Sequence, residues 1–276
     1  MGACRWLLRL SCAACASALP PFVVLSLARS GTTWLMSLLN DHPRIRAQSE
    51  ILLKSRSAAE SSHVLAALEA SVLKSPRKAA GFKFFEGQGA ESLRAGGGGA
   101  SGGAIGGWLR SQGARVVVLE RQGLARFVSQ IKHKQAIRNF ARLEAGGQIA
   151  SASEKFKCSE ADCVDRARAR MITLNATTVV QRLEAQFHEW DEILAWTRKY
   201  VFADVQYHTY RDLVADTACE MGRIFSFLGV GAHAANATTT LKMGGPTPQD
   251  DLRNADEVAA ALVGSRWEGE VDRGGA

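Results

Sequence analysis

Phe22-Val-Val-Leu-Ser-Leu-Ala28, followed at once by Arg29-Ser-Gly-Thr-Thr-Trp34, takes the chain from an apolar strand through a short turn into a helix. Gly31 lets backbone N–H groups approach an anion, and the two threonines after it add hydroxyl donors. The arginine that opens the turn brings a positive charge, and the helix presents its positive N-terminus. The pattern predicts a phosphate-binding turn, and hence a nucleotide or a phosphate ester as ligand.

This turn differs from the Walker A loop of ATP-binding proteins. The pattern G-x-x-x-x-G-K-[ST] does not occur at residues 26–33, and no lysine follows Gly31. ATP is therefore not the expected ligand. For this string alone, a plain strand-to-helix turn whose threonine side chains cap the helix remains an alternative.

A second string supplies another contact for phosphate. Arg115-Val-Val-Val-Leu119 predicts a buried parallel strand, and residues 123–137 predict the helix that follows it. Arg121 lies just beyond the strand, and Ser129 lies eight residues later within the helix. The arginine can fork onto phosphate oxygens, and the serine can donate its hydroxyl. The alternative is a surface arginine and an exposed helical serine.

Together the two strings resemble the sulfotransferases that use 3′-phosphoadenosine 5′-phosphosulfate (PAPS). R-S-G-T-T-W resembles their 5′-phosphosulfate loop, and an arginine at a strand end with a serine eight residues later resembles their 3′-phosphate site. The resemblance implies that PAPS is the cosubstrate and that no metal is needed. The residues that it assigns to cosubstrate binding in these strings are Arg29, Ser30, Gly31, Thr32, Thr33, Trp34, Arg121 and Ser129.

The segment Asn40-Asp-His-Pro-Arg-Ile-Arg-Ala-Gln-Ser-Glu50 carries the candidate catalytic base. It resembles the H-P-x-I…G-E segment of tyrosylprotein and Golgi carbohydrate sulfotransferases, with Ser49 in place of the usual glycine. By that resemblance Glu50 takes the proton from an acceptor hydroxyl, a task that suits a carboxylate whose pKa is raised by partial burial. His42 is the rival base, and its place before a proline is typical of a helix stop.

Three further positions match the family. Ala80-Gly-Phe-Lys-Phe-Phe85 resembles a G-x-K strand whose lysine contacts the transferring sulfuryl group, so Lys83 is the candidate electrophile, and a snorkelling strand lysine is the alternative. Tyr210 matches the tyrosine of a Y-E-D-L segment that reaches the cofactor, although Arg211 replaces the glutamate. Lys242 begins a partial match to a segment that closes over the cofactor.

Apolar runs predict strands at about 21–28, 79–85, 115–119 and 201–207, with helical stretches between them. This alternation predicts an α/β fold with a central parallel sheet and helices on both faces. The resemblance implies that this is the three-layer, P-loop NTPase-like arrangement. The candidate residues then follow strand ends, where open α/β sheets bind ligands.

Local signals refine this picture. Residues 177–200 carry apolar side chains at helical spacing, which predicts an amphipathic helix. Thr217 and Glu220 predict a capping box for the helix after Tyr210, with Gly229 as its C-cap. One sulfotransferase domain is expected over residues 21–276, with a flexible glycine-rich insert at 94–107.

The N-terminal segment and the cysteines do not decide between two locations: the secretory pathway, including the Golgi lumen, and the cytoplasm. Within the N-terminal segment 1–20, the stretch from Trp6 to Leu19 is apolar but interrupted by Arg9, and it is too short to span a bilayer. With Arg5 before it, this stretch would suit a weak signal peptide. Cys158 and Cys163 form a disulfide in an oxidising lumen or remain free thiols, and their spacing is not a zinc signature.

The net charge and the motifs limit the classes of function that the chain can have. A net charge of +7 suits a polyanionic nucleotide, and the lack of basic runs argues against nucleic acid. The sequence predicts sulfuryl transfer from PAPS to an acceptor hydroxyl, of a carbohydrate or a tyrosyl group. An inactive nucleotide-binding protein of the same fold remains an alternative, given Ser49, Arg211, Gly244 and Ala255 at family positions. A P-loop kinase would need a loop lysine and a Mg²⁺-binding aspartate, and neither is evident.

Overall fold

The computed structural model describes residues 19–48, 66, 69–70, 78–85, 100–121, 123–145, 171–199, 204–234 and 248–272. In chain order, its elements are β1 (Phe22–Ser26), α1 (Thr32–Asp41), β2 (Ile45–Gln48), β3 (Ala79–Phe85), α2 (Ala100–Ser111), β4 (Arg115–Glu120), α3 (Gly123–Ala145), α4 (Val179–Lys199), β5 (Val205–Thr209), α5 (Tyr210–Ala215), α6 (Thr217–Leu228), a 3₁₀ turn (Gln249–Asp251) and α7 (Ala255–Leu262).

The strands form a five-stranded sheet in the order β2-β3-β1-β4-β5. β1 pairs in parallel with β3 and with β4, and β2 pairs in parallel with β3. The register places Ser26, the last residue of β1, beside Leu119 of β4. The chain leaves β1 towards one edge of the sheet and leaves β4 towards the other edge. Ligands of open α/β sheets bind beyond the carboxyl ends of strands at such a divergence.

Both faces of the central strands are buried. Phe22 and Val24 of β1 belong to an apolar core with residues of α1 and α6. Val23 and Leu25 point to the opposite face and are also fully buried. Each such side chain contributes roughly 1.5–3 kcal/mol to folding, and strands buried on both faces are typical of parallel sheets. The predicted α/β fold around a central parallel sheet is confirmed.

The described chain divides into two compact units. The first unit holds the sheet, as far as Leu119 in β4, with α1, α2, α5 and α6. The second unit holds residues 27–30, α3, α4 as far as Ile193, the 3₁₀ turn and α7.

The second unit has its own apolar core and a fixed C-terminal segment. The core joins α3, α4 and α7 through residues such as Leu124, Leu183 and Leu262. Lys132 of α3 forms a buried ion pair with Asp251 of the 3₁₀ turn. An isolated parallel bridge, Ile172 to Leu252, follows the 3₁₀ turn directly. The segment around residue 251 is thereby tied to α3 and to the stretch before α4.

The predicted capping box at the start of helix α6 is wrong. The N-cap is Asp216, whose carboxylate accepts the Cys219 N–H at 3.0 Å. Glu220 does not reach back to the cap, because its carboxylate is buried against Nδ1 of His208 at 2.5 Å. The predicted C-cap at Gly229 is confirmed, with a φ of 70°. The ends of α4 also agree with the predicted helix over 177–200.

The prediction for the glycine-rich stretch is also wrong in part. Residues 100–111 form α2, so the expectation of a flexible insert is wrong for residues 100–107. Residues 94–99 lie outside the described residues, as do the N-terminal segment, Cys158 and Cys163. None of the helices in the described ranges combines the length and the apolarity that crossing a membrane requires.

Candidate functional site

The loop after β1 contains two residues in the left-handed conformation. Arg29 has a φ of 71°, and Gly31 has a φ of 83°. Glycine adopts this region readily, whereas an arginine held there costs about 1–2 kcal/mol. Strain of this kind concentrates at functional sites. The turn chemistry anticipated the glycine, but nothing in the sequence indicated the left-handed arginine.

Helix α1 begins with backbone donors that its cap does not accept. Gly31 is the N-cap, and its carbonyl accepts the N–H of Trp34 at 3.0 Å. The N–H groups of Thr32 and Thr33 have no intrahelical acceptor at this position. The alternative of a helix capped by threonine side chains is wrong, because the cap is the glycine. Open N–H groups at a positive helix end are suited to an anion.

The ring of Tyr210 closes over the start of α1. A Cβ placed on Gly31 would overlap Cδ2 and Cε2 of this ring. Trp34 presents an edge to the same ring, with centroids 6.1 Å apart and planes at 70°. The structure therefore brings Tyr210, Gly31 and Trp34 together within the first unit.

In the second unit, two arginines donate to main-chain carbonyls of the loop after β1. Arg121 Nη1 donates to the carbonyl of Arg29 at 3.5 Å, and Arg126 Nε donates to that of Ala28 at 3.0 Å. Arg126 is buried and also forms an ion pair with Glu189 at 3.4 Å. Carbonyl acceptors orient a guanidinium without cancelling its charge. Two guanidinium groups therefore border the loop, and its carbonyls help to orient them.

One face of α3 is turned towards this loop. Arg126, Ser129 and His133 share that face, because they stand at positions i, i+3 and i+7. Arg126 contacts Ala28, and His133 contacts Arg29. Ser129 lies between these two contacts and is 7% exposed. The alternative of an exposed helical serine is wrong, and the structure places Ser129 on the loop side of α3.

His133 makes the most direct contact with the loop. Its Nε2 accepts a hydrogen bond from Nη2 of Arg29. Burial, and then the charge of Arg29, lower the pKa of His133 to about 4, so the ring is neutral at pH 7. The sequence motifs did not indicate His133 or Arg126 as site residues. Their spacing from Ser129, three residues before it and four after it, was the available signal.

Ser30 completes the second-unit part of the loop. Its hydroxyl oxygen is fully buried and has no hydrogen-bond partner among the described residues. A buried hydroxyl left unpaired costs roughly 1–3 kcal/mol, which a bound oxyanion would recover. The hydroxyl of Ser30 is therefore suited to donate a hydrogen bond to a phosphate or sulfate oxygen.

Lys83 is a buried lysine in β3, with an exposure of 4%, and its backbone lies beside Val24 of β1. A snorkelling lysine keeps its ammonium group in solvent, so that alternative is wrong here. Burying an ammonium group costs free energy unless a counter-charge or hydrogen bonds compensate it. A lysine that is buried at this position therefore indicates a specific role.

His42, the rival base, makes the contacts of a core residue. It caps α1, its ring lies 4.7 Å from that of Phe225, and its Nδ1 accepts the N–H of Arg44 at 3.0 Å. Burial, followed by the nearby His233, lowers the pKa of His42. These contacts account for the residue as part of the core of the first unit.

Two predicted site residues, Glu50 and Lys242, lie outside the described residues. Within the part of the chain that the structure describes, no group of three or more His, Cys, Asp or Glu side chains is placed to hold a metal ion.

No family model matches the chain, and no curated protein matches its sequence. Among solved structures, it is similar to the crystal structure of a sulfotransferase from Alicyclobacillus acidocaldarius. The two chains are 12% identical, the match covers 92% of this chain and 96% of that chain, and the TM-score is 0.41. A likeness at this level does not establish a function, which has to rest on the residues of this chain.

Proposed function

We propose that this chain is a sulfotransferase that moves a sulfuryl group from PAPS to an acceptor hydroxyl of a carbohydrate or a tyrosyl group. The observation that carries the proposal is the set of donors around residues 28–30: the guanidinium of Arg121, the α3 face with Ser129, and the buried hydroxyl of Ser30. This loop follows β1 at the divergence of the sheet connections, where α/β sheets bind ligands.

The chemistry of the donors fits a ligand with two phosphate groups. In the proposal, Arg29, Ser30 and the N–H groups that begin α1 bind the 5′-phosphosulfate, as at other helix N-termini. Arg121 and Ser129 bind the 3′-phosphate, and Tyr210 and Lys242 add contacts. The Arg121 guanidinium offers a planar fork of N–H donors, and the Ser129 hydroxyl can donate as well, so both suit phosphate oxygens.

The reaction is an in-line displacement at sulfur. A bond forms between the acceptor oxygen and sulfur while the bond from sulfur to the 5′-phosphate oxygen breaks. Adenosine 3′,5′-bisphosphate leaves, and Glu50 takes the acceptor's proton. Lys83 stabilises the negative charge that develops on the leaving oxygen, which accelerates transfer because this charge is greatest in the transition state.

Binding calorimetry tests the nucleotide assignment. Adenosine 3′,5′-bisphosphate should bind tightly and ATP weakly, whereas preference for ATP would favour the P-loop kinase. Arg121→Ala should weaken bisphosphate binding about 10- to 100-fold, the loss expected for charge-assisted hydrogen bonds. Arg182→Ala, which removes an exposed arginine of α4 in the same unit, should leave affinity unchanged. Adenosine 5′-phosphosulfate lacks the 3′-phosphate, so Arg121→Ala should bind it as the wild type does.

Turnover separates an enzyme from an inactive binder of the same fold. The chain with PAPS and a panel of carbohydrate and tyrosyl acceptors should release adenosine 3′,5′-bisphosphate. Glu50→Gln should abolish this release and leave bisphosphate affinity nearly intact, because the amide cannot take the proton. An unchanged rate in this variant would contradict the base assignment. Bisphosphate binding without turnover on any acceptor would identify the inactive binder.

A further inference from the structure

The contact between Arg29 and His133 has a fixed polarity. A guanidinium has five N–H donors and no acceptor, so the imidazole must accept. Its Nε2 faces Nη2 of Arg29, and the ring proton therefore resides on Nδ1. This hydrogen bond cannot form with a protonated ring, since both of its nitrogens would then be donors.

The surroundings of His133 favour this neutral form. The residue is 8% exposed on the loop face of α3. Arg29 faces it from the loop, and Arg126 shares its helix face about two turns away. Two lysines flank it in the helix: Lys132 is paired with Asp251, and Lys134 is exposed to solvent. Burial and positive neighbours both disfavour a second proton on the ring.

A neutral acceptor also has a consequence for Arg29. A carboxylate at position 133 would orient the guanidinium but would cancel its charge and compete with an anionic ligand. A neutral imidazole orients it and adds no negative charge of its own. The left-handed backbone at Arg29 fixes where the side chain starts, and the hydrogen bond to His133 restricts where it ends. Two independent constraints thus act on one cation in the candidate anion-binding loop.

We propose that His133 is a positioning residue that holds the Arg29 guanidinium towards the 5′-phosphosulfate of the cosubstrate and adds no negative charge beside it. The assignment rests on the proposed function, because it takes the 5′-phosphosulfate to lie at this loop. It adds a residue that the motif strings do not contain.

A double-mutant cycle tests the proposal by calorimetry with adenosine 3′,5′-bisphosphate. His133→Leu should weaken binding about fivefold, the loss expected for one orienting hydrogen bond. His133→Gln retains an acceptor oxygen and should recover most of that loss. In an Arg29→Ala background, His133→Leu should have no further effect. Adenosine 3′-monophosphate lacks the 5′ group, so its affinity should be the same for the wild type and His133→Leu.

Additive effects in the cycle, or an equal loss for adenosine 3′-monophosphate, would overturn the proposal, because a role in packing alone predicts both. If His133→Leu fails to fold, the comparison of His133→Gln with His133→Asn, whose shorter amide cannot reach Arg29, takes its place. Equal affinities of these two variants would overturn the positioning role.

A measurement without nucleotide separates this proposal from the proposed function. Nitrogen NMR of the His133 imidazole should show the neutral ring protonated at Nδ1 in the wild type at pH 6. Arg29→Ala should move the titration upwards, because one of the two causes of its low pKa is removed. A ring protonated at pH 6 in the wild type would overturn the positioning role. The expected spectra together with no bisphosphate binding would overturn the proposed function and, with it, the ligand assigned to Arg29.

Discussion

Replacing Gly31 by alanine should destabilise the first unit by about 2–3 kcal/mol. At the φ of 83° a residue with a Cβ costs about 1–2 kcal/mol. The added methyl group would also overlap the Tyr210 ring, which must move away. Its edge contact with Trp34, with centroids 6.1 Å apart, contributes roughly 0.5–1.5 kcal/mol and would be lost.

The chain offers a matched control for the backbone part of this cost. Gly231 has a φ of 89°, and a Cβ there would meet no atom within 4 Å. Both glycines belong to the first unit, so one unfolding transition reports on both. Gly231→Ala should therefore cost the backbone strain alone, about 1–2 kcal/mol. Urea unfolding followed by tryptophan fluorescence measures the two free energies under the same conditions.

Removing the ring isolates the steric part. In a Tyr210→Ala background, Gly31→Ala should cost no more than Gly231→Ala, because the overlapping atoms are gone. The coupling between positions 31 and 210 should be about 1 kcal/mol. If Gly31→Ala and Gly231→Ala cost the same in the wild-type background, the closure of Tyr210 over Gly31 is refuted.

Three further predictions concern buried titratable groups. Asp251→Asn should lower the free energy of unfolding by about 3–5 kcal/mol in a urea titration, because it leaves the buried Lys132 uncompensated; Lys132→Met with Asp251→Leu should recover much of this loss. The pKa of His133 is lowered to about 4, so the unfolded state binds the extra proton first as the pH falls below about 6.5; stability should fall between pH 6.5 and pH 4, and His133→Gln should remove roughly 2–3 kcal/mol of that fall. Lys83→Met should reduce sulfuryl turnover about 10²- to 10³-fold in a product-release assay and change bisphosphate affinity far less, whereas equal losses in both would contradict its transition-state role.

The sequence predicted the elements whose signal is local. The apolar runs of β1 and β4 are buried on both faces, and α4 carries apolar side chains at helical spacing, so each was recognised. Strand β2 was missed because it has four residues at the sheet edge, with two of them buried. The cap of α6 was misplaced by one residue because Asp216 and Thr217 are both good caps, and the partner of Glu220 lies on β5.

Some residues of the candidate site could likewise be recognised from local signals, and others could not. Gly31 and Arg121 stand in strings whose chemistry can be recognised from neighbours in the chain. His133 could not be assigned from the chain alone, because its partner lies 104 residues earlier and reaches it from a left-handed backbone. Propensity provides no warning of an arginine in that conformation, since tertiary contacts have to hold it there.

The contacts of Arg29 with His133 and of Arg121 with the Arg29 carbonyl differ from the lysine and arginine ion pairs of the second unit in the kind of acceptor. Lys132 is paired with Asp251, and Arg266 with Glu184, so these pairs add little net field. Arg29 instead donates to a neutral imidazole, and Arg121 to a carbonyl. Neutral acceptors help to fix the direction of a guanidinium before any ligand arrives and add no negative charge of their own. A site oriented in advance needs little reorganisation when negative charge develops beside it, which is the main source of electrostatic stabilisation in catalysis.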